Sequence, residues 1–393
     1  MQKKLFIKFS VSISLYYISY AIIIGFSALF LQSKGFSNTE IGVFFASSAI
    51  LCVFIQCFSG SFLDRHPEIS VKTLIFLSSI IVFAAVITLF FVKPRGAVMA
   101  CYIIAGSLML AISSFFNSFG MEYINAQIPL NYSLARGIGS FFYAVVFLFM
   151  GFVIKNFKIT SIFPAFFISE CLFLLCVVTI QPVHKSAPPN LEQEKYNFFS
   201  FFHKNPAVFF LLINILLIYI SYTSINNFHI NIIKSVGGGS QELGISASLG
   251  ALLELPAMAL FVPVSKKFSY RSLLLFSCTF FFIKTFSLLF AESVTAVYLS
   301  QCLQFFSYGL FVPASAYFLN SILSIKDKAK GQSALGIFTF GLGGLFSSLL
   351  SGIVLDSFPV KTLVFLLSTL AFVGLTGVFW SCHILKKKSM ENN

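Results

Sequence analysis

Twelve apolar runs, each at or above the roughly 20 residues needed to cross a bilayer, leave this chain few folds to adopt. They lie near residues 9–31, 37–63, 71–92, 97–127, 132–154, 160–180, 206–233, 242–264, 269–290, 293–325, 331–355 and 360–385. Their apolar residues form long blocks rather than one-sided stripes, which is the pattern of membrane spans. Only 10% of the 393 residues are charged, against about a quarter in a soluble protein. No water-facing surface of this size can be built from so little charge. The expected class is an all-α polytopic membrane protein with twelve transmembrane helices.

The cations give it an orientation. The formal charge of +13 would suit a nucleic-acid binder if it were clustered, but the lysines and arginines lie scattered between the apolar runs. Alternate loops are unequal. Lys34, Lys93, Arg95, Lys155, Lys158, Lys234 and Lys361 fall on one side, Lys284 lies within a span, and all other cations share the side of both termini. The positive-inside rule puts that side in the cytoplasm. Lys3, Lys4 and Lys8 precede an apolar run long enough to span, and no small-residue cleavage site follows a short core, so a retained first helix is expected.

The chain divides near its middle. Residues 183–205 are polar, charged and proline-containing, and separate a six-helix bundle (1–182) from a second one (206–393) with a short basic tail. The halves repeat. Asn38-Thr39-Glu40-Ile41-Gly42 opens span two, and Ser240-Gln241-Glu242-Leu243-Gly244 opens span eight 202 residues later. Ser37 with Glu40 forms a capping-box pattern. Two related six-helix halves around a midplane site is a known transporter plan.

Ionisable residues in apolar spans are costly, and mark pathways, cavities or pairs. Glu122 and Arg136 flank the turn between spans four and five. An arginine fork and a carboxylate suit a hydroxyl-rich solute, or form a salt bridge that closes an inner gate. Glu254 lies half-way down span eight, two residues before Pro256, which is expected to kink the helix beside a cavity. It is the proton-site candidate, with a static bridge to Lys284 of span nine as the alternative. Glu170 sits mid-span in the sixth helix. In span seven, Tyr222, Asn226 and His229 share a helical face, a substrate-reading surface or simply a wet helix end; Tyr16, Tyr17, Tyr20 and Asn117 extend it. The glycines of span eleven, Gly336, Gly341, Gly343, Gly344 and Gly352, are expected to let helices pack closely. All eight cysteines read as buried small hydrophobes. No metal spacing, nucleophile elbow or phosphate loop is present, so no metal, cofactor or enzymatic role is expected.

Gly60-Ser61-Phe62-Leu63-Asp64-Arg65 resembles the signature loop of the major facilitator superfamily. Arg136-Gly137-Ile138-Gly139-Ser140 is similar to the start of span five in its lactose-permease-like branch, which includes oligosaccharide and nucleoside proton symporters. Phe228-His229, Glu254-Leu255-Pro256-Ala257, Pro313-Ala314-Ser315 and Lys330-Gly331-Gln332 add to the likeness. The resemblance implies that Arg136 binds sugar hydroxyls, that Lys284 replaces an embedded arginine, and that Asp64 and Arg65 hold a conformational junction of spans two, three and eleven. It also implies departures. Glu254 is one turn from the family's coupling glutamate, and Gln304 and Ser307 stand where the permease has its histidine and glutamate. The function expected is proton-coupled uptake of a small polar solute, such as a sugar, oligosaccharide or nucleoside, by a monomer in the cell membrane. Efflux of amphipathic compounds and solute sensing are the alternatives.

Overall fold

The computed structural model describes residues 2–66, 68–128, 130–182, 198–324 and 327–391. Twelve helices in it are long and apolar enough to cross a membrane. They are Lys3–Ser33, Asn38–Leu63, Val71–Phe91, Arg95–Ile124, Leu134–Phe157 and Ile159–Val178, then Pro206–Asn227, Ser240–Ser265, Tyr270–Phe290, Val294–Ile322, Lys330–Ser357 and Val360–Leu385. They are called spans one to twelve below. Many large apolar side chains point outward, among them Phe54, Phe58, Phe91, Phe149, Phe157 and Trp380, as a hydrocarbon solvent allows.

The chain forms two compact units. One contains residues through Phe36 and Val43–Leu191; the other contains Ser37–Gly42 and Glu192–Asn393. The linker residues 183–197 lie outside the described residues. Beyond them, Phe198–Lys204 is a short helix rather than extended chain.

In the first unit an aromatic core joins spans one and four, with Phe9 ringed by Phe116, Phe119, Tyr123 and Tyr132. Lys8 donates to the Thr179 carbonyl at 2.9 Å, and Lys72 to those of Val178 and Ile180 at 2.8 and 2.6 Å. Two cations therefore close the C-terminus of span six, where free carbonyls and the helix dipole favour positive charge. Span four ends at Asn125, and Gln127 takes a left-handed φ of 57° just after it.

In the second unit, spans seven and twelve form the most extensively packed helix pair. Phe201 of the short helix is buried in the same core. Next to it, Asp327 accepts from Lys204 Nζ at 3.0 Å and Ser324 Oγ at 2.9 Å, with Lys330 at 3.9 Å. The bond from Lys204, then that from Ser324, holds this carboxyl below its ordinary range. A depressed acid stabilises the fold above the ordinary carboxylate range and loses that effect as pH falls through its folded value. Asp327→Asn should therefore speed amide exchange in Phe198–Lys204 about tenfold at neutral pH, a change of about 1.4 kcal/mol. Acidifying the wild type below about pH 4 should do the same relative to intrinsic rates. Unchanged exchange would assign the docking to Phe201 alone.

The capping box of span two is present: Ser37 N–H donates to Glu40 Oε2 at 2.7 Å, and Glu40 N–H to Ser37 Oγ at 3.1 Å. Span eight keeps half of it, Gly239 N–H donating to Glu242 Oε2 at 2.8 Å. The 202-residue repeat thus has a structural counterpart. Asp356 adds a second cap, accepting from the N–H groups of Asn38 and Thr39, each at 2.8 Å.

Span eight stays α-helical through Pro256, because a helix bundle can re-satisfy the carbonyl that proline frees. Span ten is interrupted, tightening to a 3-10 turn at Leu303–Phe305 and restarting at Tyr308. Two expectations are corrected. Close packing does not explain all the glycines of span eleven. A Cβ at Gly352 would lie 2.5 Å from the Asn38 carbonyl oxygen, yet at Gly336 or Gly341 it would meet nothing within 4 Å. Just after Gly336 the helix widens to a π-helix over Ile337–Gly343, which includes Gly341. Of the cysteines, Cys52, Cys278 and Cys382 are buried, whereas Cys57, Cys171 and Cys302 face outward, since a thiol suits lipid as well as it suits a core.

Candidate functional site

A polar network crosses the second unit, drawing side chains from spans seven to ten and from the short helix His229–Ser235 that follows span seven. Its centre is Lys284 of span nine, 2% exposed. Lys284 Nζ donates to Gln301 Oε1 at 2.9 Å and also to Gln304 Oε1. Gln301 and Gln304 are three residues apart, so one helical face presents both. Gln304 Nε2 donates in turn to Glu254 Oε1 at 2.7 Å and to the Tyr222 hydroxyl at 3.3 Å. Gln304 therefore stands between the cation and the acid and is bonded to both. Gln301 Nε2 lies 3.3 Å from His229 Nε2, which is also 2.8 Å from Ser246 Oγ.

Gln301 accepts from lysine with its oxygen, so its nitrogen is the atom turned to His229 Nε2, while His229 Nδ1 is buried with no hydrogen-bond partner among the described residues. Small residues make room for the network. A Cβ on Gly309 would lie 2.6 Å from Ala257 Cβ and 3.3 Å from Glu254 Cα, and one on Gly250 would lie 3.3 Å from Gln301 Oε1. Spans eight and ten thus approach closely around Glu254. Lys284, Gln301, Gln304 and His229 are buried, while Glu254, Tyr222 and Tyr308 are half-buried and form the accessible side. Tyr222 and Tyr308 stack at 4.8 Å and 11°. The group offers a carboxylate, a phenol pair and amides to a solute, with a charge behind them.

Asn226 is placed apart. It is exposed, and its amide donates to its own helix at the Tyr222 carbonyl, 3.0 Å. Span seven ends at Asn227 and a new helix starts at His229, so the shared face of Tyr222, Asn226 and His229 is interrupted at Phe228.

The first unit carries a smaller group. The Tyr132 hydroxyl donates to Asn117 Oδ1, and the Arg136 guanidinium lies beside that hydroxyl. Gly120 permits this, since a Cβ there would sit 2.4 Å from the Tyr132 ring. Asn131 caps span five by accepting from Leu134 N–H at 3.0 Å. Glu122 is half-buried near the end of span four, and Arg136 is exposed. Tyr143 of span five faces both Tyr17 and Tyr20 of span one, each at 6.4 Å. A separate cavity of about 190 Å³ opens between spans two, three and four, walled by Gln56, Ser59, Ser114 and Ser118. Arg65 is exposed at the end of span two's helix; the Asp64 side chain lies outside the described residues. Among the described residues, no three His, Cys, Asp or Glu side chains gather to hold a metal.

Sequence reasoning singled out Glu254, Lys284, Tyr222 and His229 but missed Gln301 as a partner and treated Gln304 only as a departure. The available signal was the Gln301–Gln304 spacing within an apolar span.

Comparisons with known proteins agree with this architecture. No curated protein sequence matches the chain at a significant level. Among solved structures, a mutant of the nucleoside transporter NupG superposes with a TM-score of 0.85 at 13% identity, over 96% of this chain and 99% of that one. NupG itself gives 0.80 at 14% identity, over 96% and 98%. A bacterial homologue of the human lysosomal transporter Spinster, inward-facing and unoccupied, gives 0.66 at 13% identity, over 98% and 94%. These likenesses establish the fold. The model of the MFS_1 like family matches residues 6–366, and the chain belongs to that family of major facilitator transporters.

Proposed function

We propose that this transporter couples the uptake of a small polar solute, a sugar, oligosaccharide or nucleoside, to protons by alternating access. The observation that carries the reading is the buried Lys284–Gln304–Glu254 chain. A half-buried carboxylate tied to a buried cation through an amide can change charge state as solute or water arrives, and its partners respond. Glu254 is the coupling acid and Lys284 its switch partner. In the second unit Tyr222, Asn226 and His229 are the solute-reading residues, and in the first unit Asn117, Glu122 and Arg136 are. Asp64 and Arg65 act at a gate. The nucleoside transporter NupG, with the same fold, supports a hydroxyl-rich solute. The protein works as a monomer in the cell membrane, with both termini in the cytoplasm, and carries out no covalent chemistry.

The test is uptake into proteoliposomes under an imposed inward proton gradient, with sugars and nucleosides as solutes. Wild-type accumulation should collapse with a protonophore. Glu254→Gln should abolish gradient-driven accumulation yet spare exchange, and Arg136→Ala should weaken solute binding about tenfold or more, a loss of one charge-assisted bond. Accumulation that survives Glu254→Gln would remove its coupling role. No transport of any polar solute would turn the reading towards efflux or sensing.

A further inference from the structure

Glu170 is a mid-span acid that this reading does not use, and its surroundings are unusual. It lies midway along span six and is 0% exposed, between the buried rings of Phe166 and Phe173 on its own helix. Its Oε1 accepts from Ser79 Oγ of span three. Ser19 of span one lies beside the carboxyl, its Oγ 2.9 Å from that of Ser169. Oε2 is buried with no hydrogen-bond partner among the described residues.

No cation faces it. On span one the cations are Lys3, Lys4 and Lys8, all at its start, and Lys8 is bonded to Thr179. On span three the cation is Lys72, bonded to Val178 and Ile180. Those carbonyls lie eight to ten residues beyond Glu170, roughly 12–15 Å at 1.5 Å per residue. The turn Ile159–Ser161 before span six has no ionisable side chain. Span four reaches span six through Phe116 on Phe173, and its acid Glu122 is six residues further along. The remaining titratable neighbours are the phenols of Tyr16, Tyr17 and Tyr20, of which Tyr16 is committed to the Met109 carbonyl, and the thiols Cys171 and Cys176 on span six itself.

A carboxylate here would have only the Ser79 and Ser19 hydroxyls beside it and no counter-charge, and burying such an ion is prohibitive. A neutral carboxyl fits. Yet a merely structural bond to Ser79 needs no acid, since glutamine or serine would make it too. What an acid adds is a proton that can leave.

We propose that Glu170 is a second proton-binding site, held loaded in this conformation by spans one, three and six. When water reaches it along the Ser19 and Ser169 hydroxyls, the carboxyl O–H bond breaks, the proton passes to water as hydronium, and the carboxylate is left. Reprotonation reverses the step. The site rests on the proton-coupled reading above but can be tested apart from it.

Infrared difference spectra of the purified protein, titrated from acid to alkaline pH, read the carbonyl stretch of a protonated carboxyl. Wild type should show one such band at neutral pH that disappears reversibly at alkaline pH. Glu170→Gln, which keeps shape and bonding, should lack it; Glu254→Gln should retain it. Ser79→Ala, which keeps the acid, should shift it to higher frequency as a hydrogen bond is lost. In proteoliposomes Glu170→Gln should lower gradient-driven accumulation about tenfold and leave exchange unchanged. Identical spectra for wild type and Glu170→Gln would overturn the proposal, as would a Glu170 band unmoved by pH, which would make the acid structural. If wild type shows no proton-driven accumulation but the band titrates, Glu254 coupling fails while the Glu170 site stands.

Discussion

Gln304→Leu should be among the most damaging single changes in the second unit. The side chain is 3% exposed and accepts from Lys284 while donating to Glu254 and Tyr222. Leucine fits the volume but offers no polar atom. Lys284 keeps Gln301, yet loses its link to the acid, and Glu254 loses a 2.7 Å donor. Breaking a buried charged arrangement by removing one partner costs about 3–5 kcal/mol. Unfolding in detergent should register a loss of that order, and transport should fall at least a hundredfold. Gln304→Glu makes the discriminating control. It keeps an acceptor for Lys284 but sets a second carboxyl against Glu254, so the two must share a proton; stability should return in part while coupling does not. A stable, fully active Gln304→Leu protein would show that Lys284 and Glu254 act independently.

Gly377→Ala should come close to it, for a steric reason. A Cβ there would lie 1.8 Å from Asn214 Oδ1 and 2.1 Å from Cγ. Asn214 is itself buried and donates to the Phe210 carbonyl at 2.7 Å. The backbone cannot give way either, since one turn away a Cβ at Gly374 would be 2.7 Å from the Asn214 carbonyl oxygen. Spans seven and twelve are therefore pinned at both glycines. Overpacking of this kind costs about 1–3 kcal/mol, and folded yield should drop accordingly. Asn214→Ala on top of Gly377→Ala removes the clash and should restore most of the loss, a coupling that a double-mutant cycle reads directly. Additive losses would locate the damage elsewhere.

Much of this was legible in the chain. Spans are local objects, fixed by apolar length, and the Ser37–Glu40 cap is written in four residues, so both emerged from sequence. The site was legible only as an inventory of costly residues. Lys284 and Glu254 announce themselves because charge in hydrocarbon needs a reason, whereas Gln304 does not, because a neutral amide is tolerated in many places. Its importance depends on which helices meet. The interruption of span ten was hidden for the same cause, since no proline stands at Leu303–Phe305 to mark it. Glycine misled, since only the assembled bundle shows that Gly377 is crowded while Gly336 and Gly341 are not.

Of those two uncrowded glycines, Gly336 precedes the π-helix of span eleven and Gly341 lies within it, and that segment stores slack. A π-turn accommodates more chain per turn than an α-helix does. Returning one residue of it to α geometry would rotate everything downstream by about 100° and lengthen the helix by about 1.5 Å. Downstream lie Gly352, pressed on the backbone at Asn38, and Asp356, which holds the first turn of span two. The register of that cap is thus set some thirteen residues away, in a segment whose Phe338 packs on Phe202 and Phe209 and whose Phe340 meets Tyr219, so a rewind there must repack those rings.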